Sequence, residues 1–399
     1  MLESIIPLLL ALFLGLLAGT IAGLLPGIHI NLVSALLISF SLFFLQFTQP
    51  IILVIFIVTM AISQTFIDFI PSIFLGAPDE ETVLSVLPGH ELLKKGQGYK
   101  AILLTNYGCL AGIFLVLLIS PLFLLFLPKI YNIINILIPY ILILVTLFLI
   151  FSEEKKLISL LVILLAGFLG IAVLNLDMKE PLLPLLTGLF GSSSLIISIK
   201  SKIKIPKQKI EKPQISRKFF KPLLASLIAS PLCSFLPGVG SGQAAIIGNT
   251  LAKTDREGFL FMLGAINVIV MGLSFVVLYS IGKGRTGAAV AISKILEEIT
   301  SKQLIIILAI ILLIGIICFY LTIFLTKIVS DKIHKINYSL LSIIVLIFLC
   351  FVIFFFSGFF GFLVFIVSTA TGLFGILSGV KRINLMSCLL IPTILIYLL

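Results

Sequence analysis

The 399-residue chain is 60% hydrophobic and only 11% charged, with a mean hydropathy of +1.32. A soluble domain carries about 25% charged residues to keep its surface wet, so a water-surrounded globule is excluded and lipid is the outer solvent. The formal charge of +11 would suit nucleic acid in a soluble chain, but here the basic residues gather in loops, where the positive-inside bias accounts for them and no nucleic-acid partner is expected.

In chain order, Met1-Leu2-Glu3 lacks the positive charge that opens a secretory signal, so the first apolar run is expected to be retained. The apolar runs suit helices crossing a hydrocarbon layer of roughly 30 Å, and the alternation of barrel strands is absent. The expected architecture is an all-α, multi-pass integral protein of the cell membrane with roughly 10–14 membrane segments. The first run ends in Leu25-Pro26-Gly27-Ile28-His29-Ile30-Asn31. A later run carries Ser63-Gln64-Thr65-Phe66-Ile67-Asp68 and closes on Gly76-Ala77-Pro78-Asp79-Glu80-Glu81-Thr82. Leu87-Pro88-Gly89-His90 reads as a turn with His90 at a cap position. Lys94, Lys95 and Lys100 precede Asn106 and further long apolar runs, which are interrupted by Glu153-Glu154-Lys155-Lys156.

Residues 200–222 hold the densest run of lysine and arginine, with Pro206 and Pro213 against a simple helix. They divide the chain into a first membrane repeat (1–199), a basic cytoplasmic linker (200–222) and a second membrane repeat (223–399). The second repeat presents its own break, Leu236-Pro237-Gly238-Val239-Gly240-Ser241-Gly242-Gln243, then Gly264-Ala265-Ile266-Asn267 and Gly282-Lys283-Gly284-Arg285-Thr286-Gly287. Ordered pairs of breaks in the two halves point to internal repeats. With the linker inside, Lys253-Thr254-Asp255-Arg256, Lys327, Lys332, Lys335 and Lys381-Arg382 fall inside and Glu297-Glu298 outside. Each half then crosses an odd number of times, so the repeats have inverted topology and both chain ends are external.

Helices broken by Pro-Gly at membrane depth are tolerated only around protein or a watery cavity. A helix beginning after each break, capped by Asn31 or Ser241, exposes free N–H groups that suit an anion. The stretch from Gln243 to Lys253 is too short to span, so a re-entrant hairpin is expected there. Gly27, His29, Asn31, Gly238, Gly240, Ser241, Gln243 and Asn267 are therefore candidate substrate-binding residues, with Arg285 as a planar fork and Lys283 as a point charge for a carboxylate or phosphate. Asp79, Glu80 and Asp68 are candidates for a coupling Na+ or H+. Asn106 and Asn267 also suit plain helix-to-helix hydrogen bonds. The cysteines Cys109, Cys233, Cys318, Cys350 and Cys388 lack metal-ligand or redox spacing and read as small packing residues; no resident metal or cofactor is expected.

At these breaks the sequence resembles the TctA family, the large membrane subunit of tripartite tricarboxylate transporters, and within it the archaeal, mostly uncharacterised branch. Gly23-Leu24-Leu25-Pro26-Gly27-Ile28-His29, Phe74-Leu75-Gly76-Ala77-Pro78-Asp79-Glu80, Leu87-Pro88-Gly89-His90 and Leu236-Pro237-Gly238-Val239-Gly240-Ser241-Gly242-Gln243 carry the resemblance. It implies ion-coupled secondary uptake of carboxylates such as citrate, assisted in bacterial systems by a small membrane subunit and an extracytoplasmic binding protein. Two departures stand out: His29 replaces a typical glycine, and the segment before the last break is reduced to Gly264-Ala265-Ile266-Asn267. The expected function is transport of a small organic anion, with no enzymatic activity; membrane lipid surrounds the chain and a homo-oligomer remains open. Two alternatives stand beside it, a flippase of a lipid-linked phosphate and a metallohydrolase using Asp79, Glu80, His29 and His90. The second lacks an HExxH-type spacing.

Overall fold

The computed structural model describes residues 2–25, 46, 48–76, 82–178, 181–201, 205–214, 216–236, 240–335 and 338–399. Among these there is no strand, and seven helices are long and apolar enough to cross a membrane. The first half contains α1 (Leu2–Leu24), α2 (Pro50–Ile67), α3 (Phe69–Leu75), α4 (Val86–Lys94), α5 (Gly98–Phe151) and α6 (Lys156–Leu174). It closes with α7 (Leu182–Leu186), which passes through a π-turn at Thr187–Ser192 into α8 (Ser193–Ser201). The second half contains α9 (Phe220–Phe235), α10 (Ser241–Ala252), α11 (Arg256–Ile281), α12 (Gly287–Ile295), α13 (Ser301–Lys332), α14 (Tyr338–Leu377) and α15 (Ser387–Leu398).

Two helices form the centre. The apolar stretch of α11 is buried on every side, and α2 is largely buried, whereas α1 and α14 turn most of their surface outward. A helix apolar all round must be enclosed by other helices, while one facing lipid keeps its large side chains on the outside. Phe351, Phe354, Phe355, Phe359 and Phe360 on α14 do the latter. Small residues permit the close crossings that pack membrane helices where lipid removes the hydrophobic drive. Gly15, Gly19 and Gly23 lay one face of α1 against Phe56, Met60 and Ile67 of α2. Gly108 and Gly112 of α5 meet Phe261 and Ala265 of α11, and Gly264 meets the Thr105 carbonyl in return.

The packing is reciprocal between the halves. Helix α1 packs on α2 as α9 packs on α11; α2 lies against α13 as α11 lies against α5; α2 touches α12 as α11 touches α4. Helix α3, which follows directly on α2, and α11 end alike, on left-handed glycines at Gly76 (φ 64°) and Gly282 (φ 68°). Each then ties the following turn back by a hydroxyl pair, Ser72 to Thr82 at 2.6 Å and Ser274 to Thr286 at 2.9 Å.

Three local expectations need correction. Leu87-Pro88-Gly89-His90 is not a turn: all four residues lie inside α4. Pro88 is the third residue of that helix, where its missing N–H would have no intrahelical acceptor. The runs after Asn106 are not separated by loops, because hydrogen bonding continues through the 54 residues of α5 despite Pro121, Pro128 and Pro139. In the linker, Lys221 already belongs to α9, while residues 205–214 are without regular structure and anchored through Gln208. Its amide oxygen accepts the Gly98 N–H at 2.7 Å and its nitrogen donates to Leu93 and Pro206 carbonyls. Ion pairs between Arg256 and Glu91 (2.8 Å), Lys218 and Glu257 (2.8 Å), and Lys100 and Glu257 join the start of α11 to α4, α5 and the linker.

Candidate functional site

Helix α10 begins at Ser241, and its first turn carries polar groups that find no partner among the described residues. Gly240, extended at φ −95°, ψ −177°, is the N-cap. Glycine has no side chain to cap with, so the Gln243 Oε1 takes over by accepting the Gly240 N–H at 2.7 Å. Ser241 is thus the first helical residue and not the cap expected from the sequence. The amides of this turn keep their partial positive charge. Ser241 Oγ and Gln243 Nε2 are buried and unpaired.

Arg285 lies in the loop that follows α11. Gly282 stops that helix, and Thr286 restarts the chain as the N-cap of α12, accepting the Ala289 N–H at 3.3 Å. The loop between them carries Arg285 toward Cys233, whose sulfur faces the Ala244 amide of α10. Arg285 Nη1 is buried and has no partner among the described residues. A buried cationic nitrogen and buried neutral donors left unpaired each represent a desolvation cost that an anion would offset. Cys233 links Arg285 and α10: the Arg285 charge reaches its sulfur, which faces the Ala244 amide in the first turns of α10. Lys283 does not join them: it lies exposed over the Tyr131 ring at 5.1 Å, and its hydrogen bond to the Tyr131 phenol pushes its pKa up.

A second polar cluster sits where α2 gives way to α3. Asp68 occupies that junction and is buried. From α11, Asn267 Nδ2 approaches Asp68 Oδ2 and the Thr65 carbonyl, both at 3.4 Å, and from α5 the Cys109 Sγ lies 3.8 Å from the same carbonyl. Asn106 Nδ2 donates to the Phe319 carbonyl of α13 at 2.9 Å. The amide oxygens of Asn106 and Asn267 are both buried and have no partner among the described residues. Asn267, expected among the substrate ligands, is thus placed beside the acid Asp68. A carboxylate, a backbone carbonyl and amide oxygens are the donor types that hard cations take, and one buried carboxylate is also a proton acceptor.

Gly27, His29, Asn31, Gly238, Asp79 and Glu80 lie outside the described residues. An open apolar groove of about 680 Å³ between Tyr107, Phe114, Phe220 and Phe261 is lined by none of the candidate residues. Sequence pattern does not single out Cys233, which reads as one more small apolar residue. Nor does it single out Arg382, half of a Lys-Arg pair that reads only as a topology signal, yet its Nη1 donates to Ser194 Oγ at 2.7 Å.

Comparison with known proteins bears on most of this chain. The family model described as tripartite tricarboxylate transporter TctA family matches residues 9–387. An uncharacterised protein of Methanocaldococcus jannaschii is 35% identical over 358 residues, which are 86% of this chain and 88% of that protein. No solved structure matches.

Proposed function

The chain belongs to the tripartite tricarboxylate transporter TctA family, a family of secondary transporters and not of enzymes, and from that premise we propose that it moves a small organic anion of the carboxylate class, coupled to Na+ or H+. The observation that carries this reading is that Ser241 Oγ and Gln243 Nε2 at the N-terminus of α10, and Arg285 Nη1, whose charge reaches Cys233 against that helix, are buried and unpaired among the described residues. A carboxylate satisfies a guanidinium in a bidentate fork and accepts from helix amides as well. A neutral or cationic solute would leave the guanidinium uncompensated.

Asp68, with Asn267 and the Thr65 carbonyl, is the proposed coupling position. It lies where α2, α5 and α11 meet, so an ion bound there touches elements from both halves. The reciprocal packing and the matched hydroxyl ties Ser72–Thr82 and Ser274–Thr286 support two repeats of inverted topology. In such repeats, alternating access follows from exchanging equivalent conformations of the two halves. A small membrane subunit and an extracytoplasmic binding protein are proposed as partners on the strength of the family.

Uptake of labelled citrate into proteoliposomes tests the reading. Arg285→Ala is expected to reduce uptake by more than tenfold, as truncating one partner of a buried charge pair costs about 2–5 kcal/mol, with insertion and melting preserved. Asp68→Asn is expected to retain citrate binding but lose the response to an imposed Na+ or proton gradient. Uptake by Arg285→Ala at the wild-type rate would remove the anion site from α10.

A further inference from the structure

Several basic residues on the side that the charge map places inside pair with acids. Arg256 has Glu91 at 2.8 Å, and Lys218 and Lys100 share Glu257. Lys381 approaches Glu153 at 4.0 Å and donates to the Ser152 carbonyl at 2.8 Å. Arg382, the next residue, is largely buried, yet among the described residues it has no carboxylate partner. Among the described residues it donates to the Ser194 hydroxyl. That hydroxyl already donates its proton to the Phe190 carbonyl at 2.5 Å, so it can serve Arg382 only as a neutral acceptor.

The setting is rigid. Arg382 opens the 3-10 turn Arg382–Met386, which is pinned to the 152–159 region: Glu153 Oε1 accepts the Lys381 N–H at 3.0 Å and the Asn384 amide at 3.1 Å, and Asn384 also reaches Ser159 at 3.1 Å. Ser194 follows the π-turn Thr187–Ser192, a widened turn of the kind found at functional positions. Two further elements converge on it. His90 of α4 lies close enough to Arg382 to feel its charge, and His90 Nε2 is buried and unpaired. The side chain of Ile383 rests on the backbone of Gly242, where an added Cβ would lie 2.6 Å from it. The residue after Arg382 therefore packs on the same first turn of α10 whose Ser241 and Gln243 are unpaired among the described residues, and Arg382 itself is partly open to solvent.

We propose that Arg382, His90 and Ser194 frame a second oxyanion-binding position next to the start of α10, which takes the carboxylate of the transported solute before or after it occupies the Arg285 position. The inference rests on the transport reading for the identity of the solute, but the site itself follows from Arg382 and its neighbours. Arg382 supplies the fork, and His90 Nε2 and the polar first turn of α10 supply hydrogen-bonding groups. The bound oxyanion neutralises a largely buried cation that has no acid partner among the described residues.

Calorimetric titration of the purified full chain in detergent, with citrate and with inorganic phosphate as the two probes, tests this alongside uptake. Arg382→Gln is expected to weaken citrate binding by more than tenfold while leaving the melting temperature of the unliganded protein unchanged or higher, because an uncompensated charge has been removed. Arg285→Ala is expected to keep residual binding that the double variant Arg285→Ala/Arg382→Gln loses. Phosphate binding without citrate binding, abolished by Arg382→Gln, would keep the oxyanion position and move its ligand to the phosphates. Unchanged affinity for both probes in Arg382→Gln, or a wild-type chain that binds neither, overturns the site. So does an unliganded Arg382→Gln that melts several degrees lower, which is the mark of a purely structural arginine. Citrate uptake that survives Arg382→Gln sinks this inference alone, whereas Arg382-dependent binding without any uptake sinks the transport reading alone.

Discussion

Arg285, Arg382 and His90 share one property: burial with too few partners. In a membrane protein that condition is costly, because neither lipid nor packed side chains can replace the missing hydrogen bonds. For His90 the cost is visible in its acidity. Burial first, then the nearby charges of Lys94 and Arg382, pull its pKa from 6.5 to about 4. The folded protein therefore holds His90 neutral over a range where the unfolded chain binds a proton. Stability is full above pH 6.5 and falls as the pH drops toward 4, by at most about 3 kcal/mol for this one group. His90→Gln is expected to flatten the dependence of the melting temperature on pH between 6.5 and 4, and thermal melts of the two proteins over that range check it. An unchanged slope would assign the acid sensitivity to other groups. The charged member at Arg285 was legible from the sequence, since an arginine between glycines after a long apolar run has few structural excuses. Arg382 was not, because a Lys-Arg pair at a helix end is what topology alone would put there.

Among the helices, the decisive features are where they stop and how closely they cross. The breaks at Gly76 and Gly282 were readable, because glycine before a polar stretch marks a left-handed helix end. The interior placement of Leu87-Pro88-Gly89-His90 was not, since the same residues suit a turn equally well. What favours the helix is Gly89, which lets α4 lie against Ile73 of α3, where an added Cβ would be 2.7 Å away. The α5–α11 crossing makes a sharper demand. A Cβ on Gly264 would fall on the Thr105 carbonyl, which is backbone and cannot swing aside. Gly264→Ala must therefore part the two helices, and a loss of about 1–3 kcal/mol or more is expected, read as a lower melting temperature in detergent. Gly282 has open space around it but a φ of 68°, so Gly282→Ala is expected to cost only about 1 kcal/mol. Equal losses at the two sites would contradict the close crossing.

For the molecule as a whole, membrane orientation is the claim with the most reach. The charge map puts the linker inside and Glu297 outside, and both positions are exposed in the structure. In intact cells, a membrane-impermeant maleimide is expected to label Glu297→Cys directly and Lys212→Cys only after permeabilisation. Labelling of both from one side would undo the inverted arrangement of the halves. The ion pairs joining α11 to α4, α5 and the linker lie on the inner side of that map. Each is at least partly exposed, and pairs of this kind are worth about 0–1 kcal/mol, so they can break and reform as the halves move.

Composition and local pattern were enough to establish that this is a helical membrane protein and that helices stop at Gly76 and Gly282. Those are short-range properties: hydropathy is summed over a window, and a helix stop depends on a few consecutive residues. Which polar groups meet is a long-range property. Asp68 and Asn267, Glu91 and Arg256, and Ser194 and Arg382 are far apart in the chain. Each pair is joined only because glycine-lined crossings bring the helices of the two halves within reach, and no local pattern encodes which crossing is made. The tertiary structure therefore decided that Lys283 lies over the Tyr131 ring, that Asn267 meets Asp68, and that Arg382 meets Ser194.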